Sequence, residues 1–461
     1  MEQSIFSYGA KNIHFIGVGG ISMSALAEIL QRRGHHVSGS DDIDSGVLDR
    51  LRGLGVKVFV PNAACNISDK TELVVYTAAV KADNPEFVAA KEMGIPLMER
   101  AALIGKMLPG YPENCCVSGT HGKTTTTSLV SDIFLEAELD PTILIGGHMN
   151  RDGMNYRVGE SPYLVLEACE YNNSYHHWHP KIGVILNIDS DHLDFFGSLD
   201  GVTESFAKFA NNISPDGYLV INRDVPGYES LTANLPCKVV SFGTDSATAR
   251  FWADDVEFDE GFPSFTIMDG DSNLAWVKLS LPGSYNMMNA LAAFSAAYVM
   301  GVPARSIEAA LCKSKGVKRR FEYKGMVNGA KIFDDYAHHP TEIRSCLRAA
   351  KARAEGGRLI CLFQPHTYSR TKALLQDFAE SFEDADHVSV LPIYPAREPF
   401  DASISSEMLV EGISKSGIEA AVCKTFDEAV SFFLESLRPG DLFLTMGAGD
   451  AFKVGDKMAT P

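Results

Sequence analysis

The segment Gly119-Thr120-His121-Gly122-Lys123-Thr124-Thr125 stands between an apolar run, CCVSG, and a helix-like run, SLVSDIFLEAEL. Backbone N–H groups at a helix N-terminus, flanking glycines and a lysine together cradle a polyphosphate, and a threonine hydroxyl is then free to meet magnesium. Residues 119–125 are therefore expected to bind a nucleoside triphosphate. The common phosphate loop has glycine where this chain has Val117, which makes the loop a shortened variant. Glu167 and Glu170 stand at the end of the run YLVLEA, and Asp191-His192 follow IGVILNI. Near-continuous apolar runs of this kind are typical of parallel strands covered on both faces, and in an open parallel sheet the strand carboxyl ends converge on one edge. Thr124, Glu170 and His192 are the expected magnesium ligands; the ion prefers oxygen, and one imidazole is compatible when phosphates fill other positions.

Other clusters lead to weaker or different chemistry. His176-His177-Trp178-His179 has no matching Cys or second His pair at zinc spacing, so a packed loop over the active face is expected. Gly17, Gly19, Gly20 and Ser22, with Asp41 about twenty residues on, resemble a dinucleotide fingerprint whose third glycine is replaced by Ser22. The same turn serves any pyrophosphate, that of a UDP-sugar included, and nothing downstream resembles a hydride-transfer site. Further on, DDYAHHP (334–340) and QPHTYSR (364–370) each follow a strand-like run. Polar clusters at strand C-termini carry ligand contacts, and His338, His339 and Arg370 suit a carboxylate or phosphate.

The elements that must position these residues repeat one rhythm. NIHFIGVGGISMSALAEILQRRGHHVSGSD (12–41) reads as a βαβ unit, followed by VVYTAAV, a helix-like NPEFVAAKEMG, then IPLMER and AALIGKML. The turn-rich LPGYPEN (108–114) marks a boundary. Residues 217–281 contain the β-like YLVIN, KVVSF and SFTIM before an apolar helix at 289–301, and the rhythm restarts after KSKGVKRRF with KIFDDYA, RLICLF, HVSVLPI and DLFLTMG. The expectation is an α/β protein of three domains: a Rossmann-like domain over 1–108, a central phosphate-loop ATPase sheet over 109–318 and a Rossmann-like domain over 319–461, with a hinge near 313–321.

Composition agrees. The 461 residues suit about three domains. Hydrophobic residues at 45% and charged residues at 22% suit buried cores. Lys+Arg 41 against Asp+Glu 59 gives −18, which repels nucleic acid and anionic lipid. No membrane span or export signal is expected, and nine Cys without a C-x-x-C pair fit reduced thiols in a cytoplasmic protein.

Taken together, GTHGKTTTT, EACEYNNSYHHWHP, NIDSDHLDFF, FDDYAHHPTEI, FQPHTYSRT and GAGD resemble the Mur ligase family of ATP-dependent amide-bond ligases in peptidoglycan precursor synthesis, along the whole chain. GVGGISMS, DDYAHHPTE and HTYSRT resemble the branch that joins L-alanine to UDP-N-acetylmuramate. The resemblance implies that Gly17, Gly19, Gly20, Ser22 and Asp41 bind the sugar nucleotide, that Lys123 holds ATP phosphates, and that Thr124 and Glu170 bind one Mg2+ and His192 a second. It also implies that Asn286 and Asn289 meet adenine, that Arg320 and Asp335 meet the nucleotide, and that His338, His339 and Arg370 face L-alanine and the lactyl carboxylate. His338 or His339 would take the proton of the alanine ammonium. The family usually carries His-Asn where this chain has Tyr285-Asn286, and a tyrosine can stack or donate but cannot become an imidazolium. Two other readings stay open: a sibling ligase adding a peptide or another small amino acid to the same sugar nucleotide, and a nucleotide-gated binding protein.

Overall fold

The computed structural model describes residues 4–7, 11–354 and 356–459, which form α/β layers around three sheets. The first sheet has five parallel strands in the order Lys57–Phe59, His36–Ser40, β1 (Asn12–Ile16), Leu73–Tyr76 and Leu97–Glu99. Chain order reverses at β1, so a crevice opens at its carboxyl end, where the Gly17–Gly20 turn leads into α1 (Ile21–Arg32).

The middle sheet has ten strands. At its centre β2 (Glu113–Ser118) runs into the phosphate loop and α2 (Lys123–Glu136), with β3 (Tyr163–Glu167) on one side and β4 (Ile182–Ile185) on the other, both parallel to it. Four consecutive threonines are poor helix formers. Packing overrides that preference in α2: Thr126 and Thr127 are fully buried, and the Thr127 and Ser131 hydroxyls donate to the carbonyls four residues back. The sheet is covered by α3 (Ser284–Val299), and beyond Lys238–Gly243 it continues into an antiparallel ribbon, Phe251–Asp259, Phe262–Asp269 and Ser272–Lys278.

The third sheet runs Glu322–Val327, β5 (Ala330–Asp335), Leu442–Met446, then a central strand, His387–Val390 and Glu419–Val422, parallel except for its first strand. From β5 the chain enters α4 (Pro340–Arg353), and the central strand is β6 (Leu359–Phe363). The two outermost strands lie outside the elements expected from the sequence. Both are only partly buried and so lack the apolar run that betrays their neighbours.

One hydrophobic cluster runs without a break from the first sheet and α1 through Leu103, Ile104 and Met107 to Trp178, Phe206 and Phe209 of the middle one. The H-H-x-H loop belongs to this seam: Trp178 donates from Nε1 to the Ala101 carbonyl at 2.9 Å, and His176 Nε2 bonds the Ser205 carbonyl. Beside it, buried Glu28 accepts from the Tyr156 hydroxyl at 2.7 Å and pairs with Arg32 and Arg50. All nine cysteines are unpaired, and no described helix is long and apolar enough to cross a membrane. Replacing Glu28 by Ala strands the buried Tyr156 hydroxyl, and a loss of about 1–3 kcal/mol is expected, read as a lower denaturant midpoint.

Candidate active site

Val117 is a fully buried member of β2, which is why the loop begins two residues later than the common pattern. Gly119 and Gly122 have φ of 145° and 83°, and a Cβ on Gly122 would lie 2.4 Å from Asn289 Oδ1. Only glycine lets the loop close against α3 in this way. The Lys123 ammonium uses all three of its hydrogens, donating to the carbonyls of Gly119 (2.6 Å) and Thr120 (2.9 Å) and to Glu170 Oε1 (3.0 Å). Burial opposes its charge, but Glu170 beside it outweighs that and raises its pKa.

Thr124 donates to Glu167 Oε1 at 2.9 Å, while Glu167 Oε2 accepts from the Gly146 N–H. Glu170 is buried, and its Oε2, 2.9 Å from Lys123 Nζ, has no hydrogen-bond partner. A buried carboxylate oxygen in that state, on the same strand end as the Glu167 that Thr124 bonds, is oxygen chemistry that fits a hard divalent cation. His192, with φ 53°, lies with its ring centroid 4.7 Å from that of Tyr171 and Nε2 3.9 Å from Asp191.

Between the phosphate loop, α3 and α4 lies a cavity of about 320 Å³. Leu186, Phe242, Leu281, Met288 and Val317 supply apolar walls, and Thr125, Asn286, Asn289, Arg320 and Asp335 supply polar groups. This mixture suits a flat heterocycle on a polar tail. Asn289 donates to Asn286, which donates to the Pro282 carbonyl, so the two amides orient each other. Asp335 accepts from the N–H groups of Phe321 and Ala337, and burial raises its pKa to about 6. Arg320 lies over the Tyr336 ring at 5.3 Å. Tyr285 also lines the cavity, its phenol held neutral by burial.

The third sheet meets the loop through charge. His121 is 3.1 Å from both Asp189 Oδ2 and Glu342 Oε1. Burial disfavours its charge, but the two carboxylates outweigh it and carry the imidazole up to about 9. His121, Asp189 and His339 bring ligand-type atoms within 4.8 Å of one another. Both ring nitrogens of a charged His121 are donors, so it keeps no lone pair for a metal. Thr341 also donates to Asp189, and His339 donates from Nε2 to the Ser190 carbonyl while its Nδ1 accepts from the Thr341 N–H. Arg370 bonds Asp191 at 3.0 Å. His338 bonds the Tyr336 carbonyl through Nδ1, leaving Nε2 with the lone pair, and burial lowers its pKa to about 4.

In the first sheet Asp41 accepts from the Gly19 N–H at 3.0 Å, so it shapes the turn. Gly17, Gly20, Ser22 and Asp41 line a cleft of about 960 Å³. Asn286, Asn289, Arg320 and Asp335 thus line the first cavity and Gly17, Gly20, Ser22 and Asp41 the cleft; Arg370 and His192 both approach Asp191, whereas the His339 ring lies 4.9 Å from that of His121. Sequence reasoning assigned no part to Asn187, Asp189, Glu342 or Thr341, although NIDSDH and HHPTE contain them; the Asn187 side chain brackets His121, bonding both its N–H and its carbonyl.

Comparison with known proteins agrees with this geometry. Residues 12–111 match the Mur ligase family catalytic domain, 117–297 the Mur ligase middle domain and 319–449 the Mur ligase glutamate ligase domain. The chain belongs to the Mur ligase family. It is 44% identical over 447 residues to the UDP-N-acetylmuramate–L-alanine ligase of Acetivibrio thermocellus, covering 97% of this chain and 95% of that one. It is 45% identical over 448 residues to the enzyme of the same name from Clostridium acetobutylicum, covering 97% of each. The crystal structure of the UDP-N-acetylmuramate-alanine ligase of Thermotoga maritima superposes with a TM-score of 0.78 at 30% identity, covering 97% of this chain and 98% of that one.

The raised pKa of His121 fixes a pH window. Its contribution to stability is complete below about pH 6.5 and disappears as pH rises through about 9. The difference in thermal midpoint between the wild type and His121→Asn should shrink over that interval, and a difference constant from pH 6 to pH 10 would contradict a charged bridge.

Proposed function

We propose that this chain is a cytoplasmic, ATP-dependent UDP-N-acetylmuramate–L-alanine ligase, with segments 1–108, 109–318 and 319–461 holding sugar nucleotide, ATP and amino acid in that order. The observation that carries the reading is identity of 44–46% to enzymes of that name across 97% of the chain. The bonds from Lys123 to Glu170, from Thr124 to Glu167 and from His121 to Glu342 support a site shared by the loop, the carboxylates and the third sheet.

The lactyl carboxylate attacks the γ-phosphorus of ATP, and the bond to ADP breaks, leaving an acyl phosphate. The alanine amine then attacks the acyl carbon, and phosphate departs from the tetrahedral adduct. Both partners of the first step are anions, so the protein must neutralise and align them before they react. Lys123 does this by exchanging its bonds to Gly119, Thr120 and Glu170 for phosphate oxygens. Thr124 and Glu170 would hold one magnesium ion and His192 a second, and bound there the metal supplies charge neutralisation on the phosphates. Asn286, Asn289, Arg320 and Asp335 seat the nucleotide, and Gly17, Gly19, Gly20, Ser22 and Asp41 the sugar nucleotide. Arg370 and His338 receive the amino acid and the lactyl carboxylate. Because both ring nitrogens of His339 are already bonded, the open lone pair on Nε2 of His338 is left to take the proton of the alanine ammonium.

Phosphate release measured with each substrate omitted in turn should require ATP, UDP-N-acetylmuramate and L-alanine together. Release independent of the sugar nucleotide and alanine would instead mark a nucleotide-gated binding protein. A panel of amino acids and peptides separates the alanine enzyme from a sibling ligase. Lys123→Ala should lower turnover by at least about a hundredfold, and His338→Ala should lower it while sparing ATP binding; full turnover by either removes its assigned role. The segment 313–321, with Gly316, Arg319 and Phe321 at φ of 64°, 61° and 52°, is placed as the hinge. Small-angle scattering should then show a smaller radius with nucleotide and sugar nucleotide bound together than with either alone.

A further inference from the structure

Arg397 lies on a turn of the third sheet's loops yet borders two hollows at once. One is the cleft of about 960 Å³ formed by Gly17, Gly20, Ser22 and Arg100 of the first sheet. The other, about 700 Å³, contains His192, Asp191 and Arg370. Among the described residues, only Tyr171 and Arg397 line both.

The backbone of that turn is pinned by hydrogen bonds. Glu398 N–H donates to the Pro395 carbonyl at 2.9 Å and closes it, while the Glu398 carboxylate accepts from the Ser369 N–H at 3.0 Å and from the Ser369 hydroxyl. Ala396 sits at φ 51°, a conformation that costs a residue with a Cβ about 1–2 kcal/mol. Arg370 is paired with Asp191, and Arg100 donates to the Ser22 hydroxyl, but among the described residues Arg397 is exposed and has no carboxylate within ion-pair distance. A rigid turn that carries an unpaired guanidinium into a seam between three sheets is an anion-binding arrangement.

The sugar nucleotide of the proposed reaction must pass this point. Its nucleotide occupies the first cleft and its lactyl carboxylate reaches the hollow with His192 and Arg370, so its diphosphate and muramoyl portion cross the seam. The geometry points to Arg397 as a substrate-binding residue that grips an anionic group of the sugar nucleotide from the third domain. The shared chemistry is guanidinium to diphosphate or to carboxylate, and the inference rests on the ligase reading above.

The test begins with formation of UDP-N-acetylmuramoyl-L-alanine by the wild type, because absence of that product overturns the ligase reading and not the role of Arg397. Given an active wild type, Arg397→Ala should raise the KM for UDP-N-acetylmuramate about tenfold or more, with KM for ATP and L-alanine changed less than about twofold and the thermal midpoint unmoved. Arg397→Lys should fall between the two, since an ammonium keeps the charge without the planar fork. UDP as a competitive inhibitor tells the two anions apart: weaker inhibition of Arg397→Ala identifies the diphosphate, and unchanged inhibition the lactyl carboxylate. An unaltered KM for the sugar nucleotide in Arg397→Ala, or an equal rise for all three substrates, overturns the assignment.

Discussion

The imidazolium of His121 between Asp189 and Glu342 is the contact on which the rest of the site depends. Through it the phosphate loop touches α4 by a charge, so the position of the triphosphate cradle and the position of the third sheet are set together. Asp189 also accepts from Thr341, and the Glu342 carboxylate accepts from the His338 N–H at the start of the same helix. Burial would raise Glu342, but the cationic His121 and Arg320 around it hold it well below the usual carboxylate range. One buried charge therefore fixes a helix N-terminus, a catalytic-face histidine and a loop at once.

Strands and loop chemistry are legible in the sequence to different degrees. The parallel strands around the site are legible because they are buried on both faces: Ile182–Ile185 and Leu359–Phe363 contain no exposed residue and read as apolar runs. The phosphate loop is legible because its chemistry is local, with strand, glycines, lysine and helix contiguous. The edge strands Glu322–Val327 and Glu419–Val422 are not, since a half-exposed strand carries a weak signal.

Long-range pairing is the other blind spot. Asp189 and Glu342 are ordinary acids in their own segments, and nothing in either tells that His121 lies between them, 68 residues from one and 221 from the other. Arg397 is likewise unremarkable in PAREPF until the fold brings its turn beside a glycine turn from the opposite end of the chain. Roles that exist only between domains have no local spacing to betray them. Asn286 and Asn289 are the opposite case, because a separation of three on one helix puts both amides on the same face.

The two seams of the molecule are made of different material. Between the first and middle sheets the join is a continuous hydrocarbon interior, sealed by Trp178 and Ala101. Around the phosphate loop, the join to the third sheet is made of ionic and hydrogen-bonded pairs such as Asp191 with Arg370. Water can replace the partners of a polar join at small net expense, while parting an oily one exposes surface that water rejects. The join to the carboxyl-terminal part is accordingly the one whose parting uncovers the less hydrocarbon.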